Sequence, residues 1–251
     1  MKTIKLCPEN IHRGSLVLIN ADWPIKEEPR AESLVRVGDG NETVLMDAQA
    51  AKMLTKLLSA AQSGGQIITV SGFRTSGEQQ AIYESALQEN GADFTRQYVA
   101  LPGCSEHQTG LAIDLAENAG PIDLLCPRFS YTGVCARFRE KAPDYGFIER
   151  YPFGREASTH IAHEPWHFRF VGYPHSKIMA NNGFTLEEYT DYLRTFAYDA
   201  KRCRIRDNGL TFELGFICSD SLTEVEIPPH MAYQLSGNNA DGVVVTLWGL
   251  N

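Results

Sequence analysis

The spacing of apolar residues predicts helices and strands that alternate along most of the chain. Within residues 47–63, apolar side chains including Leu54 and Leu57 recur at helical spacing, and Gly64-Gly65 follows them. This pattern predicts an amphipathic helix that ends at the glycines. Residues 66–71 (QIITVS) then have the apolar, β-branched character of a buried strand.

Two T-x-x-E capping boxes predict further helix starts. Thr75 and Glu78 form the first box, so a helix should run from there toward Asn90-Gly91, preceded by the loop 72–74. Thr185 and Glu188 form the second. Its helix carries the apolar stripe Leu186, Tyr189, Leu193 and Phe196 and is expected to close the main domain.

The pattern changes after about residue 200. Strand-like runs at 210–218 (LTFELGFIC) and 242–250 (GVVVTLWGL) are separated by polar turn sequence. The prediction is therefore an α+β domain over residues 1–199 and a small β-rich appendage over residues 200–251. Control of access to the site and dimerisation are the two alternatives left open for this appendage.

Composition narrows the class of protein. The chain has 251 residues and a net charge of -8, which argues against nucleic-acid binding because that binding needs clustered Lys and Arg. Neither a secretory signal nor an uncharged apolar run of membrane-spanning length is present in the sequence. We therefore expect a cytoplasmic protein without stable membrane insertion, whose six cysteines stay reduced.

The stretch 105–114 (SEHQTGLAID) carries the first candidate chemistry. Apolar residues alternate with Ala112 and Asp114, which places the Asp114 carboxylate on one face of a strand. A carboxylate among small and apolar neighbours is costly to bury without a cation. His107, just upstream across Gly110, can bend back to share that cation, and zinc accepts such N and O ligands.

The stretch 164–171 (EPWHFRFV) carries the second set of candidate functional residues. Aromatic residues alternate with His167 and Arg169 in β-favouring sequence, so His167 is a candidate third ligand. Glu164 precedes His167 by three positions, which on a regular strand gives opposite faces. We expect Pro165 to interrupt the ladder and to hold Glu164 extended ahead of the strand, free to lean toward the metal.

Residues 163–167 (HEPWH) also spell H-E-x-x-H, the helical zinc motif of many metalloproteases. That motif needs both histidines one turn apart inside a helix. Pro165 would cost about 3 kcal/mol there and would remove a hydrogen-bond donor. The helical interpretation is therefore rejected.

Together these stretches resemble the D-Ala-D-Ala carboxypeptidases and dipeptidases of the vancomycin-resistance group, which are related to lysostaphin-type and hedgehog-type zinc folds. S-x-H-x-x-G-x-A-x-D matches at 105–114, and E-x-W-H matches at 164–167. A third match, SGFRT at 71–75, is followed by Gln79 and Tyr83. The resemblance covers roughly residues 15 to 197 and implies a central antiparallel sheet with flanking helices.

The resemblance also implies roles for individual residues. The zinc ligands would be His107, Asp114 and His167. Glu164 would be the catalytic base, and Arg74 would stabilise charge near the scissile carbonyl. The positions that match the substrate pocket are Ser105, Gln79 and Tyr83, and Trp166 would edge the pocket.

E-P-W-H followed by FRFVG is closer to the carboxypeptidase branch (VanY) than to the dipeptidase branch (VanX). Membrane-bound carboxypeptidases of this kind usually carry an amino-terminal anchor, and we expect none here. The resemblance therefore points to the soluble bifunctional type, VanXY. Its substrates are the D-Ala-D-Ala dipeptide and muramyl-pentapeptide precursors. An L,D-carboxypeptidase of the same fold and a non-catalytic zinc-stabilised peptidoglycan-binding module are the alternatives, and a homodimer is left open.

Purely structural interpretations remain as alternatives for several residues. His160 and His163 match no ligand position and are interpreted as structural. The aromatic stripe of 166–170 is interpreted mainly as core. For Arg74 the alternative is a salt-bridge partner at the end of a strand, and for Ser105, Gln79 and Tyr83 it is local capping or packing.

Overall fold

The computed structural model describes residues 2–38, 44–221 and 224–250. The strands, in chain order, are β1 (Lys2–Lys5), β2 (Leu34–Val37), β3 (Val44–Asp47), β4 (Ile67–Ser71), β5 (Ala112–Glu117), β6 (Phe147–Tyr151), β7 (Glu164–Phe170), β8 (Cys203–Asp207), β9 (Leu210–Cys218), β10 (Glu224–Ile227), β11 (Ala232–Gly237) and β12 (Gly242–Leu250). The helices are α1 (Ala48–Ala60), α2 (Ser76–Tyr98), α3 (Gly133–Lys141), α4 (Glu156–Thr159), α5 (His175–Asn182) and α6 (Leu186–Arg194).

Two compact units divide the chain, Ile19–Thr185 and a second unit made of Met1–Leu18 with Leu186–Asn251. These bounds differ from the division expected near residue 200. Strand β1 pairs antiparallel with β10, so the amino-terminal segment belongs with the late strands. Helix α6 lies in the second unit, whereas the sequence analysis assigned it to the main domain.

The unit Ile19–Thr185 is built around an antiparallel sheet in the order β4-β5-β7-β6. The central strands β5 and β7 are buried along almost their whole length. The Phe168 ring of β7 packs edge-on against Phe129 and Phe138, with ring centroids 5.4 and 4.9 Å apart. The predicted α+β fold with a central antiparallel sheet is confirmed.

Local sequence explains where the helices of this unit begin. Asp47 caps α1, its side chain accepting from the backbone N–H groups of Gln49 and Ala50. The predicted capping box of Thr75 and Glu78 starts α2. At Gly91 the backbone has a φ of 81°, which interrupts α2 where the sequence predicted its end, and a further helical segment continues to Tyr98.

The second unit contains the antiparallel sheet β11-β12-β9-β8, so the two predicted strand runs are confirmed as β9 and β12. Its core is formed by apolar residues from both ends of the chain: Leu6, Ile11, Tyr198, Ile217, Val225, Ile227, Val243, Val245 and Leu247. Within the described residues, no helix has the length and apolar character needed to cross a membrane.

Candidate active site

The three predicted metal ligands meet at the central strands of the sheet. Asp114 of β5 and His167 of β7 are direct partners in the antiparallel ladder. His107 approaches from a 3-10 turn, Glu106–Thr109, that immediately precedes β5. All three side chains are buried, and one donor atom from each lies within 4.8 Å of the others.

His107 is held by the carbonyl oxygen of Gly72. The ring Nδ1 lies 2.7 Å from that oxygen, which only accepts, so Nδ1 carries the proton. A side chain at Gly72 has no room, because a Cβ there would lie 2.3 Å from the Leu45 carbonyl oxygen. Burial, followed by the positive charge of Arg74, lowers the pKa of His107 to about 4. The ring is therefore neutral at pH 7, with its lone pair on Nε2.

That lone pair faces a carboxylate. Nε2 of His107 lies 3.1 Å from Oδ2 of Asp114, so two acceptors point at each other. Such a contact is favourable only with a cation between or beside the atoms. The buried set of two imidazoles and one carboxylate is the N and O donor set that zinc accepts, and it leaves a fourth position for water or substrate.

His167 bridges two carboxylates. Its Nδ1 lies 3.0 Å from Oδ1 of Asp114, and its Nε2 lies 3.4 Å from Oε2 of Glu106. Burial opposes the charge, but the interactions with Asp114 and Glu106 outweigh it and raise the pKa of His167 to about 9. Burial likewise opposes the charge of Asp114, yet the hydrogen bond from His167 and the charge of that ring hold the pKa of the carboxyl well below its usual range.

Glu164 lies beside His167 because β7 is irregular there. The structure includes Glu164 and Pro165 in the strand, so the expectation that Glu164 precedes the strand was wrong. The pairing of β6 with β7 shifts register between Glu149 and Tyr151, and Tyr151 pairs with Glu164. A bulge of this kind re-aims side chains, which lets residues three apart face one site. Oε2 of Glu164 lies 3.7 Å from Nδ1 of His167.

The Glu164 carboxyl is poised to exchange protons near neutral pH. Its side chain is 8% exposed, and burial raises its pKa to about 8. Asp114 adds to this rise, while His167 and Arg74 oppose it. A carboxyl group tuned in this way has the properties of a general base in a hydrolytic site.

Arg74 is fixed by three partners. Its Nε donates to Ser71 Oγ at 3.0 Å, one terminal nitrogen donates to Gln79 Oε1 at 3.1 Å, and the other donates to Asp114 Oδ2 at 3.1 Å. The guanidinium is partly exposed toward the pocket. Its orientation is therefore set before any substrate binds.

A pocket of about 550 Å³ opens over these groups. It is lined by the three candidate ligands, by Glu164 and Arg74, and by the predicted substrate contacts Ser105, Gln79 and Trp166. The amide of Gln79 is already engaged at both ends, since its Nε2 also donates to the Ala100 carbonyl oxygen. Tyr83 is half-buried on α2 and is not among the described residues that line the pocket.

The histidines interpreted as structural lie outside the ligand group. His160 is exposed and ends α4 with a left-handed backbone. His163 contacts the Tyr131 hydroxyl at 2.7 Å through Nε2. Because β7 is a strand, the H-E-x-x-H spacing does not bring His163 and His167 together as it would on a helix.

Sequence reasoning missed the charged residues behind His167. Glu106 accepts from Arg150 and lies against Arg169, with all three side chains at most 1% exposed. Burial opposes the charge, but the two guanidinium groups hold the pKa of Glu106 well below its usual range. Two features of the sequence could have indicated these residues: the position of Glu106 next to His107, and the alternation of Arg169 with His167.

Comparison with known proteins finds relatives among D-Ala-D-Ala peptidases. The family model for VanY, D-alanyl-D-alanine carboxypeptidase, matches residues 43–173. The bifunctional D-Ala-D-Ala dipeptidase and D-Ala-D-Ala carboxypeptidase VanXYC of Enterococcus gallinarum is 42% identical over 181 residues, which are 72% of this chain and 95% of that protein.

Solved structures extend the likeness. The vancomycin-resistance D,D-dipeptidase VanXYg, in complex with a D-Ala-D-Ala phosphinate analogue, is 45% identical with a TM-score of 0.93, covering 98% of each chain. A VanY D,D-pentapeptidase variant from a VanB-type cassette, in complex with Zn(II), is 28% identical with a TM-score of 0.55, covering 70% of this chain and 98% of that one. The chain therefore belongs to the VanY family of D-alanyl-D-alanine carboxypeptidases.

Proposed function

We propose that this protein is a zinc-dependent D,D-peptidase that hydrolyses the D-Ala-D-Ala dipeptide and removes the terminal D-Ala from D-Ala-D-Ala-ended peptidoglycan precursors. The observation that carries the proposal is the meeting of His107, Asp114 and His167 with Glu164 and Arg74 in one pocket. The names of VanXYC and VanXYg support the substrate class, and the Zn(II) complex of a VanY supports the metal.

The proposed metal ligands are Nε2 of His107, a carboxylate oxygen of Asp114 and Nδ1 of His167. When bound, zinc supplies Lewis acidity that lowers the pKa of water and polarises a carbonyl group. The protein's own contribution is a buried donor set that is held in place by Gly72 and by the β5–β7 ladder. We assign this catalysis to the unit Ile19–Thr185, which contains every residue that lines the pocket.

Glu164 is the proposed general base. Its carboxylate takes a proton from the water that attacks the scissile carbonyl carbon, and the same carboxyl then returns that proton to the departing D-Ala amine. The Arg74 guanidinium stabilises the negative charge that develops on the carbonyl oxygen. The contacts that hold Arg74 to Gln79 and Asp114 make this donor preorganised.

The length of the pocket supports action on substrates longer than a dipeptide. One wall includes residues of α2 from Gln79 to Glu89, which span about 15 Å of helix. An extended dipeptide spans at most about 7 Å. This wall extends beyond the span of a dipeptide, which supports muramyl-pentapeptide precursors as proposed substrates beside the dipeptide.

Substrate contacts are proposed for Ser105 and Trp166, which are buried at the pocket wall. Gln79 is proposed to act mainly through Arg74, because both ends of its amide are bonded to protein.

Cytoplasmic location remains a prediction. It is supported by the six cysteines, which are all free thiols, as is usual in a reducing compartment. Homodimer formation also remains a prediction, which light scattering of the purified protein would test.

The deciding experiment incubates the zinc-loaded protein with three peptides: D-Ala-D-Ala, a pentapeptide ending in D-Ala-D-Ala, and an L,D-tetrapeptide. Release of D-Ala from the first two supports the proposal. Release from the tetrapeptide alone identifies an L,D-carboxypeptidase, and no release from any peptide, with zinc bound, identifies a binding module. A Glu164→Ala protein that is fully loaded with zinc serves as the inactive control.

A further inference from the structure

A buried charged cluster lies directly behind the candidate metal ligands. It consists of Glu106 on the 3-10 turn, Arg150 on β6 and Arg169 on β7, and these side chains are 0%, 1% and 0% exposed. Burying charges so completely is costly unless each is paired. The peptidase mechanism proposed above makes no use of this cluster, so its arrangement calls for a separate explanation.

The two oxygens of Glu106 have different partners. Arg150 Nε lies 2.7 Å from Oε1, and a terminal nitrogen of Arg169 lies 2.8 Å from the same oxygen. The other oxygen, Oε2, lies 3.4 Å from Nε2 of His167. Both arginines therefore anchor one end of the carboxylate and aim the other end at the histidine ring.

The opposite edge of the same ring faces the site. Nδ1 of His167 lies 3.0 Å from Asp114 Oδ1 and 3.7 Å from Glu164 Oε2. An imidazole that is to bind a metal through one nitrogen must carry its proton on the other. A carboxylate oxygen can only accept, so Glu106 favours a proton on Nε2, the nitrogen that must stay protonated when Nδ1 binds a metal.

Strand β7 places Arg169, which anchors Glu106, close to the proposed ligand His167. Arg169 follows His167 by two positions on β7, so both side chains point to the same face of the sheet. Glu106 immediately precedes His107, so the turn that carries one ligand also carries the residue that orients another. The Tyr151 ring, 4.9 Å from the His167 ring, packs against it from the side.

We propose that Glu106, anchored by Arg150 and Arg169, is a positioning residue that holds His167 with Nε2 protonated and Nδ1 presented to the metal. The inference rests on the zinc centre of the proposed function and adds that the centre's affinity depends on a residue that is not itself a ligand. Removing the Glu106 charge is expected to weaken zinc binding about 10- to 100-fold, as for outer-shell partners of other metal-ligating histidines.

The test compares Glu106→Gln with a matched control, Glu149→Gln. Glu149 also pairs with a largely buried arginine, Arg139, at 2.7 Å, but it does not line the pocket. Zinc affinity is measured by competition with a chelator, and folding by circular dichroism. The expected result is a 10- to 100-fold loss for Glu106→Gln and a change of less than about twofold for Glu149→Gln. Equal affinities for Glu106→Gln and wild type would overturn the inference.

A second measurement needs no substitution and can overturn the inference even where Glu106→Gln does not fold. Long-range ¹H–¹⁵N spectra of the zinc-loaded wild-type protein report which nitrogen of each histidine carries a proton. For His167 we expect a protonated Nε2 and a metal-bound Nδ1. The reverse assignment rules out positioning by Glu106. Hydrolysis of D-Ala-D-Ala by the wild type is scored separately, so failure of the proposed function is distinguishable from failure of this inference.

Discussion

Asp114 and His167 are paired across the two central strands of the sheet, and Oδ1 of Asp114 lies 3.0 Å from Nδ1 of His167. The ladder that holds the fold together therefore also sets the spacing of two proposed metal ligands. The raised pKa of His167 keeps a proton on the ring, and Nδ1 must be free of a proton to bind a metal. The chemistry of the site follows from exchanging that proton for a cation.

Zinc affinity should therefore rise with pH. The pKa of His167 is raised to about 9, so this ring is charged throughout the neutral range and must lose a proton before Nδ1 can bind zinc. One displaced proton predicts an apparent association constant that increases about tenfold per pH unit from pH 6 to 8. Chelator competition at fixed total zinc measures this slope. An affinity independent of pH would contradict the assignment of His167 as a protonated ligand.

Replacing Glu164 should separate metal binding from turnover. Glu164→Gln keeps the size of the side chain but removes the base, so we expect stoichiometric zinc and a loss of kcat of about 10²- to 10⁴-fold. Metal analysis and D-Ala release measure the two quantities. Glu156→Gln, on helix α4 and outside the pocket lining, is the matched control. Near-normal turnover of a zinc-loaded Glu164→Gln protein would refute the role of base.

Replacing Arg74 even with lysine should lower the activity. Its guanidinium donates to Ser71, Gln79 and Asp114 in a fixed fork, and an ammonium group does not reproduce that geometry. We expect Arg74→Lys to lower kcat on D-Ala-D-Ala by about 10²-fold or more, with zinc content unchanged. A matched surface change, Arg128→Lys, should leave kcat within error. If Arg74→Lys retains full kcat, Arg74 acts only as a salt-bridge partner.

Substitutions of two histidines test the assignment of the metal ligands. His107→Ala removes a donor that is buried beside Asp114, so the protein should lose stoichiometric zinc. His163→Ala removes a ring that contacts Tyr131, and zinc content should stay near one per chain. Metal analysis after dialysis distinguishes the variants. The opposite result, with zinc lost only from His163→Ala, would mean that the site is built around the wrong histidine.

The ligand stretches and most local elements could be predicted from the sequence because their signals are local. The alternation around Asp114 and His167 indicates strands, and the Thr75 capping box indicates a helix start. Other features depend on contacts between distant parts of the chain. Strand β1 pairs with β10, more than 200 residues later, so nothing near residue 5 indicates that the amino terminus joins the late strands.

The position of Glu164 shows the same limit at the site. Its approach to His167 depends on a register shift against β6, which is set by pairing and not by the sequence of β7 alone. The role inferred for Glu106 depends likewise on Arg150 and Arg169 arriving from other strands. Sequence spacing indicated the candidate donor types, while the groups that orient them emerged only from tertiary packing.

Gly72 offers a test of how closely the fold and the metal site are coupled. A Cβ at this position would lie 2.3 Å from the Leu45 carbonyl oxygen and 2.8 Å from a Val44 methyl carbon. Gly72→Ala must therefore shift the backbone, including the carbonyl oxygen that accepts from His107 Nδ1. We expect a loss of about 1–3 kcal/mol in the free energy of unfolding, as for other overpacked sites, together with weaker zinc binding.

Gly77 provides the matched glycine control. It lies in the first turn of α2, and a Cβ there would meet nothing within 4 Å. Gly77→Ala should raise the free energy of unfolding by about 0.4–1 kcal/mol, because alanine loses less conformational entropy on folding, and should leave zinc affinity unchanged. Denaturant unfolding of the metal-free proteins and chelator competition measure both effects. If Gly72→Ala matched Gly77→Ala in both, the Gly72 carbonyl would not be what holds His107 in place.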